Sequence, residues 1–324
     1  MARVAKSPYK KDWLVSTGIA RGMISAEISG RLPTLSEYCE AFGCSRGVVQ
    51  NAIASLESCG AVKLNKCGKQ GTFLLAKNEE LLFARAGLSH LTGSMPTPLN
   101  IHLAGLATGI CQAMSRSAIP FTFAFIQGGK NRADALSRQI YDFVVVTRAT
   151  ARGFIEENPD LEEVLPLSGC TYSQPYVLYL NTPGLTEIQD GMSIALDPSC
   201  HDQYLLTMEL CHDKDVKFIE MPYISSRQAF FLSEVDALIF RDDNVMGMPF
   251  LNNLIAPSQR FVNPDLTSSV PIELDIAGEM QLPVVLVNKK NYGMAGILRS
   301  YLGGDVVSFV QKKVIDLQMS PQFF

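Results

Sequence analysis

The stretch that decides the fold runs from residue 31 to residue 74: RLPTLSEYCEAFGCSRGVVQNAIASLESCGAVKLNKCGKQGTFL. Thr34, with Glu37 three residues on, has the spacing of a capping box, in which each side chain satisfies the other's free backbone N–H at a helix start. Leu35, Tyr38, Cys39 and Phe42 then repeat at helical spacing and supply a buried face. Gly43 stands where a chain leaves a helix through a left-handed residue, and Ser45 stands where the next helix is capped. In that second helix Val48, Ala52, Ile53 and Leu56 are expected to face the core, which leaves Arg46, Gly47, Val49 and Gln50 at its exposed N-terminal end. After Gly60, AVKLNK and GTFLLAKN read as strands joined by CGKQ, with Lys63, Lys66 and Lys69 on or near the hairpin. Upstream, WLVSTGIARGMISAEI (13–28) places Leu14, Ile19, Met23 and Ile24 near one face of an amphipathic helix that ends before Gly30. The pattern is helix, helix, tight turn, helix and basic hairpin.

Four features of this run carry a family resemblance. They are Arg31-Leu32-Pro33 before the short helix, Gly43-x-Ser45-Arg46 at the turn, Leu56-x-x-x-Gly60 at the end of the next helix, and Gly71-Thr72-Phe73 in the hairpin. Together they resemble the GntR-type winged helix-turn-helix. The resemblance implies a double-stranded DNA partner, with the second helix of the turn in the major groove. It implies contacts from Arg31, Thr34, Ser45, Arg46, Val49 and Gln50, and from Lys66, Lys69 and Gln70 in a wing longer than usual. Gln50 departs from the pattern, since many such proteins carry Arg there. Gln pairs bidentately with adenine and Arg with guanine, so the base read should differ. The bland alternative is that these are solvated surface charges.

Composition sets the frame. At 324 residues the chain should hold two or three compact units, and 47% hydrophobic with 19% charged residues excludes a disordered chain. The predicted division is a DNA-binding module over 1–78, a linker over 79–90 and a large domain over 91–324. Net charge is −4, but residues 1–78 hold 11 Lys/Arg against 5 Asp/Glu, a net of +6 that leaves −10 elsewhere. A basic front on an acidic body suits a module that meets phosphate. Cys39, Cys44, Cys59, Cys67, Cys111, Cys170, Cys200 and Cys211 include no Cys-x-x-Cys pair, and there are four histidines, so neither a disulfide framework nor a zinc motif is visible. The reading is reduced structural thiols, no metal and no cofactor. A redox role for the N-terminal cysteines is the alternative, although Cys39 and Cys44 stand where apolar residues belong. No signal-peptide or membrane-spanning run is visible, and a cytoplasmic protein is expected.

From about residue 88 strand-like and helix-like runs alternate, the pattern of an α/β fold with a largely parallel sheet. Strands are predicted at 88–95, 121–127, 141–147, 176–181, 192–197, 216–221, 235–240 and 282–288. Helices are predicted at LAGLATGICQAMSR, RADALSRQI, HDQYLLTMELCH, SSRQAFFLS, GMAGILRSYL and DVVSFVQKKVIDL. VDALIF as a late strand, then LPVVLVNKKNYGMAGILRSYL as a return, resemble the type 2 periplasmic binding protein fold, a two-lobed doubly wound α/β architecture. Lobe one would be about 91–181 plus 282–324, and lobe two about 182–281. MPTPLNIHLAGLATGICQAM, GGKNRADALSRQIYDFVVVTRATA and IALDPSCHDQYLLT look like the effector domain of YhfZ-like regulators.

In such a sheet a ligand lies beyond the strand carboxyl ends, beside helix N-termini. That locates Thr97, Asn100, Thr147, Arg148, Ser199 and Arg241 as candidate ligand-binding residues, and the arginines suggest a small anionic metabolite. Each alone could equally be a cap or a loop residue. Cys200-His201 invites a catalytic reading, with the winged helix serving only for docking. Adjacent helical residues point in different directions, however, so no catalytic residues are assigned and an enzyme is not expected. The whole reads as a ligand-responsive transcription regulator, a homodimer on a palindromic operator.

Overall fold

A computed structural model describes residues 11–117, 119–241 and 267–322. The chain divides into two compact units. One comprises the residues up to Leu91 with Met114–Thr122 and Lys289–Gly303, and the other comprises Thr92–Ala113, Phe123–Asn288 and the chain from Gly304 on.

The N-terminal unit begins with α1 (Lys11–Ser25), α2 (Leu35–Phe42) and α3 (Arg46–Ser58), followed by the hairpin β1 (Val62–Lys66) and β2 (Thr72–Lys77). Its core is built by Val15, Ile19, Met23 and Ile24 of α1 with Leu56, Leu74 and Leu82. Leu14, expected in that core, is 44% exposed; Val15 stands there instead, one position round the helix and four residues before Ile19. The α1 C-terminus has no glycine cap of its own. Lys77 Nζ donates to the Ile24 and Ala26 carbonyls at 2.5 and 3.1 Å, so a cation satisfies the last carbonyls.

The predicted linker 79–90 is largely a helix. Asn78 accepts from the Leu81 N–H at 3.1 Å to start α4 (Glu79–Arg85), and Leu82, Phe83, Ala86 and Leu88 are buried. The apolar stripe of EELLFAR has a core to join, because α4 packs on α1. A further helix of this unit comes from far along the chain: α10 (Met294–Leu302) also packs on α1. Gly293, at φ 79°, starts it where a Cβ would lie 2.5 Å from the Arg21 Cβ, and the Tyr292 ring meets Phe42 at 4.6 Å.

Among the described residues the large unit contains two five-stranded sheets. The first has the order β4-β3-β5-β12-β6, from β3 (Leu91–Met95), β4 (Phe121–Phe125), β5 (Phe143–Thr147), β6 (Leu161–Pro166) and β12 (Pro283–Asn288). The second has the order β11-β7-β10-β8-β9, from β7 (Tyr176–Leu180), β8 (Ser193–Leu196), β9 (Lys217–Glu220), β10 (Ala237–Arg241) and β11 (Ser268–Pro271). Every predicted strand is present. The expectation of largely parallel sheets is corrected, since both are mixed: β12 runs antiparallel to β5 and β6, and β7 runs antiparallel to β10 and β11. These are the strands on which the chain has just crossed from one sheet to the other. For the same reason β7, expected in lobe one, belongs to lobe two, and the lobe boundary falls between Pro166 and Tyr176.

Packing follows the strand period of two. In β10, Leu238 joins Tyr179, Ala195 and Phe230 on one face, while Ile239 joins Leu178, Ile194 and Leu206 on the other. In the first sheet α6 (Gly129–Ser137) and α7 (Arg148–Glu157) cover Val144, Val146, Val284 and Leu286. α5 (Ile101–Met114) lies against α11 (Val306–Ile315) so closely that a Cβ on Gly109 would sit 2.7 Å from the Val307 carbonyl oxygen. α8 (His201–Leu210) and α9 (Tyr223–Phe231) complete lobe two. Among the described residues no helix is long and apolar enough to cross a membrane.

Candidate functional site

Two surfaces deserve the functional reading, one in each unit. In the N-terminal unit the capping box is formed: Glu37 N–H donates to Thr34 Oγ1 at 3.3 Å, and Thr34 N–H donates to Glu37 Oε2 at 2.6 Å. These bonds lower the Glu37 pKa and fix the start of α2. Gly43 closes that helix in the left-handed conformation, at φ 55°. Ser45 occupies the N-cap position of α3 but its side chain makes no capping bond. Ser45, Arg46 and Gln50 are all exposed at the start of α3, and Arg46 donates to Ser36 of α2 at 3.1 Å.

Val49 is a correction: it is wholly buried, with Ala52 and Leu56, while Val48 is only half-buried. The expected face is 48/52/53/56; Ala52 and Leu56 are buried as expected, Val48 and Ile53 are only half-buried, and Val49 joins the inward stripe, so it holds the helix rather than facing outward. The wing is real. A 3-10 turn at Gly68–Gln70 carries exposed Lys69 and Gln70 at its tip. Arg31 is bridged to Phe73, and a Cβ on Gly71 would lie 2.8 Å from its Nε, so the glycine of Gly71-Thr72-Phe73 lets Arg31 lie across the wing. Lys66 pairs with Glu57 at 2.7 Å. An exposed pair of this kind is worth about 0–1 kcal/mol, so Lys66 can exchange Glu57 for another anion at little cost.

In the large unit a cavity of about 170 Å³ lies between the two sheets' helices. Lobe one lines it from the starts of α5 and α6, and lobe two from Tyr176, the start of α8 and the end of β10. At its floor Asp202 is almost fully buried. Its Oδ1 accepts from Thr147 Oγ1 at 2.8 Å and Thr150 Oγ1 at 2.7 Å, both on lobe one, and its Oδ2 accepts from Arg241 Nη2 at 2.8 Å. Asp202 therefore ties the lobes together. The Arg241 guanidinium lies 4.2 Å from the centre of the Tyr176 ring, a cation–π contact, while its backbone N–H donates to the Tyr223 hydroxyl at 3.0 Å. Tyr223 in turn stacks on Phe240 at 4.3 Å.

A second guanidinium faces this arrangement. Arg132, 4% exposed, donates to the Ile126 carbonyl at 2.7 Å and to the Tyr172 hydroxyl at 3.1 Å. Burial pushes the Tyr172 phenol up to about 12 against the pull of both arginines, so it stays neutral. α6 starts beside Arg132 with Gly128 at φ 82° and no side-chain cap. A Cβ on Gly128 would lie 2.6 Å from Ser199 Oγ, so only glycine fits.

Of the sequence-selected ligand residues, Thr97, Asn100 and Arg241 line the cavity. Thr147, Arg148 and Ser199 do not. Thr147 is spent on Asp202 and on capping α7. Arg148 is held by Glu163 at 2.6 Å, and Ser199 turns back to Asp197 at 2.7 Å. Sequence reading missed Arg132, Asp202, Tyr172 and Tyr176. The signal for Arg132 was its place four residues after Gly128, one turn into a helix that opens on the cleft. Cys200 is paired with the Tyr176 hydroxyl at 3.9 Å, and burial pushes its thiol up to about 11, the reverse of what a thiolate nucleophile needs. His201 instead packs on Phe154. Among the described residues no group of three or more His, Cys, Asp or Glu could hold a metal ion.

Comparison with known proteins agrees with this architecture. A helix-turn-helix domain model matches residues 27–74, and the YhfZ C-terminal domain model matches residues 78–323. The uncharacterized protein YhfZ of Escherichia coli (strain K12) is 25% identical over 317 residues, which cover 97% of this chain and 98% of that one. The crystal structure of YhfZ from Shigella flexneri is similar with a TM-score of 0.60 at 22% identity, covering 75% of this chain and 97% of the other. A periplasmic substrate-binding protein of an ABC transporter from Coxiella burnetii is more distant, with a TM-score of 0.44 at 16% identity over 69% of this chain and 97% of its own. With its C-terminal three quarters matched by that family's model and a helix-turn-helix in front, the chain belongs to the YhfZ family.

Proposed function

We propose that this protein is a cytoplasmic transcription regulator that binds a palindromic operator as a homodimer and responds to a small anionic metabolite held between the lobes of its large domain. The observation that carries the DNA half is the start of α3. Ser45, Arg46 and Gln50 stand exposed at the end of the helix that enters a groove in helix-turn-helix proteins, and Lys69 is exposed at the tip of the wing. Two such modules would read half-sites about one helical turn apart. The cleft supports the sensing half, because it brings two buried arginines to a cavity of ligand size. On this reading the large domain works by binding rather than by catalysis, in keeping with a Cys200 that is protonated and not paired with His201.

A ligand shifts DNA affinity only through unequal affinity for two conformations, and the Asp202 tie between lobes is a contact whose making and breaking would distinguish them. The test is fluorescence anisotropy on the protein's own upstream region at about 150 mM salt. Tight, sequence-selective binding is the expected outcome, and binding no better than to random DNA would overturn the proposal.

A further inference from the structure

We infer that the cleft ligand is a small monocarboxylate with an uncharged, largely apolar body, and that Arg132 rather than Arg241 receives its carboxylate. The inference rests on the cleft being the effector site and concerns what that site accepts. It follows from how the two buried arginines and the buried aspartate of the cavity are used. A guanidinium has five N–H donors. Arg241 places its charge against Asp202 at 2.8 Å and its face against Tyr176, so this cation is already neutralised. Arg132 has two acceptors, a carbonyl and a phenol, and neither carries charge. Its Nε is buried without a hydrogen-bond partner, and among the described residues it forms no ion pair. A buried cation with no counter-ion is costly unless an anion arrives, and the uncapped start of α6 beside it favours the same sign of ligand.

The rest of the cavity limits what the anion can be. Asp202 already accepts two hydroxyls and a guanidinium, which leaves no free carboxylate for an ammonium group among the described residues of the cavity. Pro96, Leu99, Leu103, Tyr176 and Phe240 supply apolar wall, so the body should be uncharged. Of the three arginines that line the cavity, Arg227 on α9 is only half-buried and keeps contact with water, so the one buried guanidinium without a carboxylate partner among the described residues matches one negative charge rather than the two of a phosphate ester. The cavity, about 170 Å³, is close to the roughly 150 Å³ that takes up a benzene ring, so the ligand is a ring or branched chain with its carboxylate.

The experiment is calorimetric titration of the full chain with benzoate and isovalerate, alongside benzamide, isovaleramide, leucine, succinate and glycerol phosphate. At least one monocarboxylate should bind with a dissociation constant below about 1 mM. Its affinity should fall at least about tenfold in Arg132→Met, as expected for the loss of charge-assisted hydrogen bonds. Arg132→Met should keep or raise the apo melting temperature, because it removes an unpaired buried charge, and this separates lost binding from lost folding. No monocarboxylate binding, equal binding by the amides, tighter binding by leucine, succinate or glycerol phosphate, or unchanged affinity in Arg132→Met would each overturn the inference. Leu99→Trp, a substitution at a partly exposed wall position, tells the two failures apart. If one of the other compounds binds the wild type but not Leu99→Trp, the cleft stands as the site and only the ligand class falls. A compound that binds both equally refutes the cleft as well.

Discussion

The two candidate surfaces use arginine in opposite ways. On the N-terminal unit Arg31 and Arg46 lie in water with Lys63 and Lys69, while in the cleft Arg132 and Arg241 are 4% and 7% exposed. An exposed cation interacts through a high dielectric and is screened by salt, so many are needed and none is decisive. A buried one has already lost its water, so its partner is specified closely and removing that partner is expensive. The first arrangement suits a long polyanion, and the second suits one small ion.

Salt should separate the two most widely. Raising it from about 50 to about 200 mM should weaken operator binding by about 10³-fold or more if six phosphates are neutralised. Calorimetry of the cleft ligand over the same range should show a change of less than about threefold; equal slopes would erase the contrast. Next in size is Asp202→Ala, which leaves Arg241 buried and unpaired and should cost about 3–5 kcal/mol in urea unfolding. Asp202→Leu with Arg241→Met should recover most of that loss. Arg46→Ala should weaken operator binding by about 1–3 kcal/mol while leaving the unfolding midpoint unchanged. Smallest is Glu57→Gln, which frees Lys66 and should shift stability by less than about 1 kcal/mol.

The N-terminal unit was legible because its grammar is local. A capping box, a left-handed glycine and an N-cap serine each announce themselves within four residues, and all fall where the sequence places them. What failed there was rotational: Val49 is in and Leu14 is out, since a short helix with several apolar residues allows more than one inward stripe. In the large unit the strands with continuous apolar runs were plain, whereas β6 (LEEVLP) and β11 (SSVP) were not. Both are edge strands, where one side meets solvent and charge or polarity is tolerated. The cleft was legible only in part because its chemistry is non-local. Asp202 gathers partners from Thr147, Thr150 and Arg241, and no window of sequence contains that set. Arg148 and Arg241 look alike in sequence, each at the end of a strand. Only the position of Glu163 on β6, two strands over in the same sheet, withdraws the first from the cavity.

The helix α10 bears on how separable the parts of this protein are. It follows directly on β12, a strand of the large unit, yet it packs on α1 in the other. Tyr292 covers Phe42, and Asn291 accepts from Arg21. The N-terminal unit is thus stitched from three separate stretches of the chain, the last of them nearly 200 residues from the first. A chimera that grafted residues 1–78 onto a foreign sensor would leave the Phe42 side of α2 and the Arg21 side of α1 bare. Any exchange of heads between members of such a family should succeed only when the 289–303 segment travels with the head.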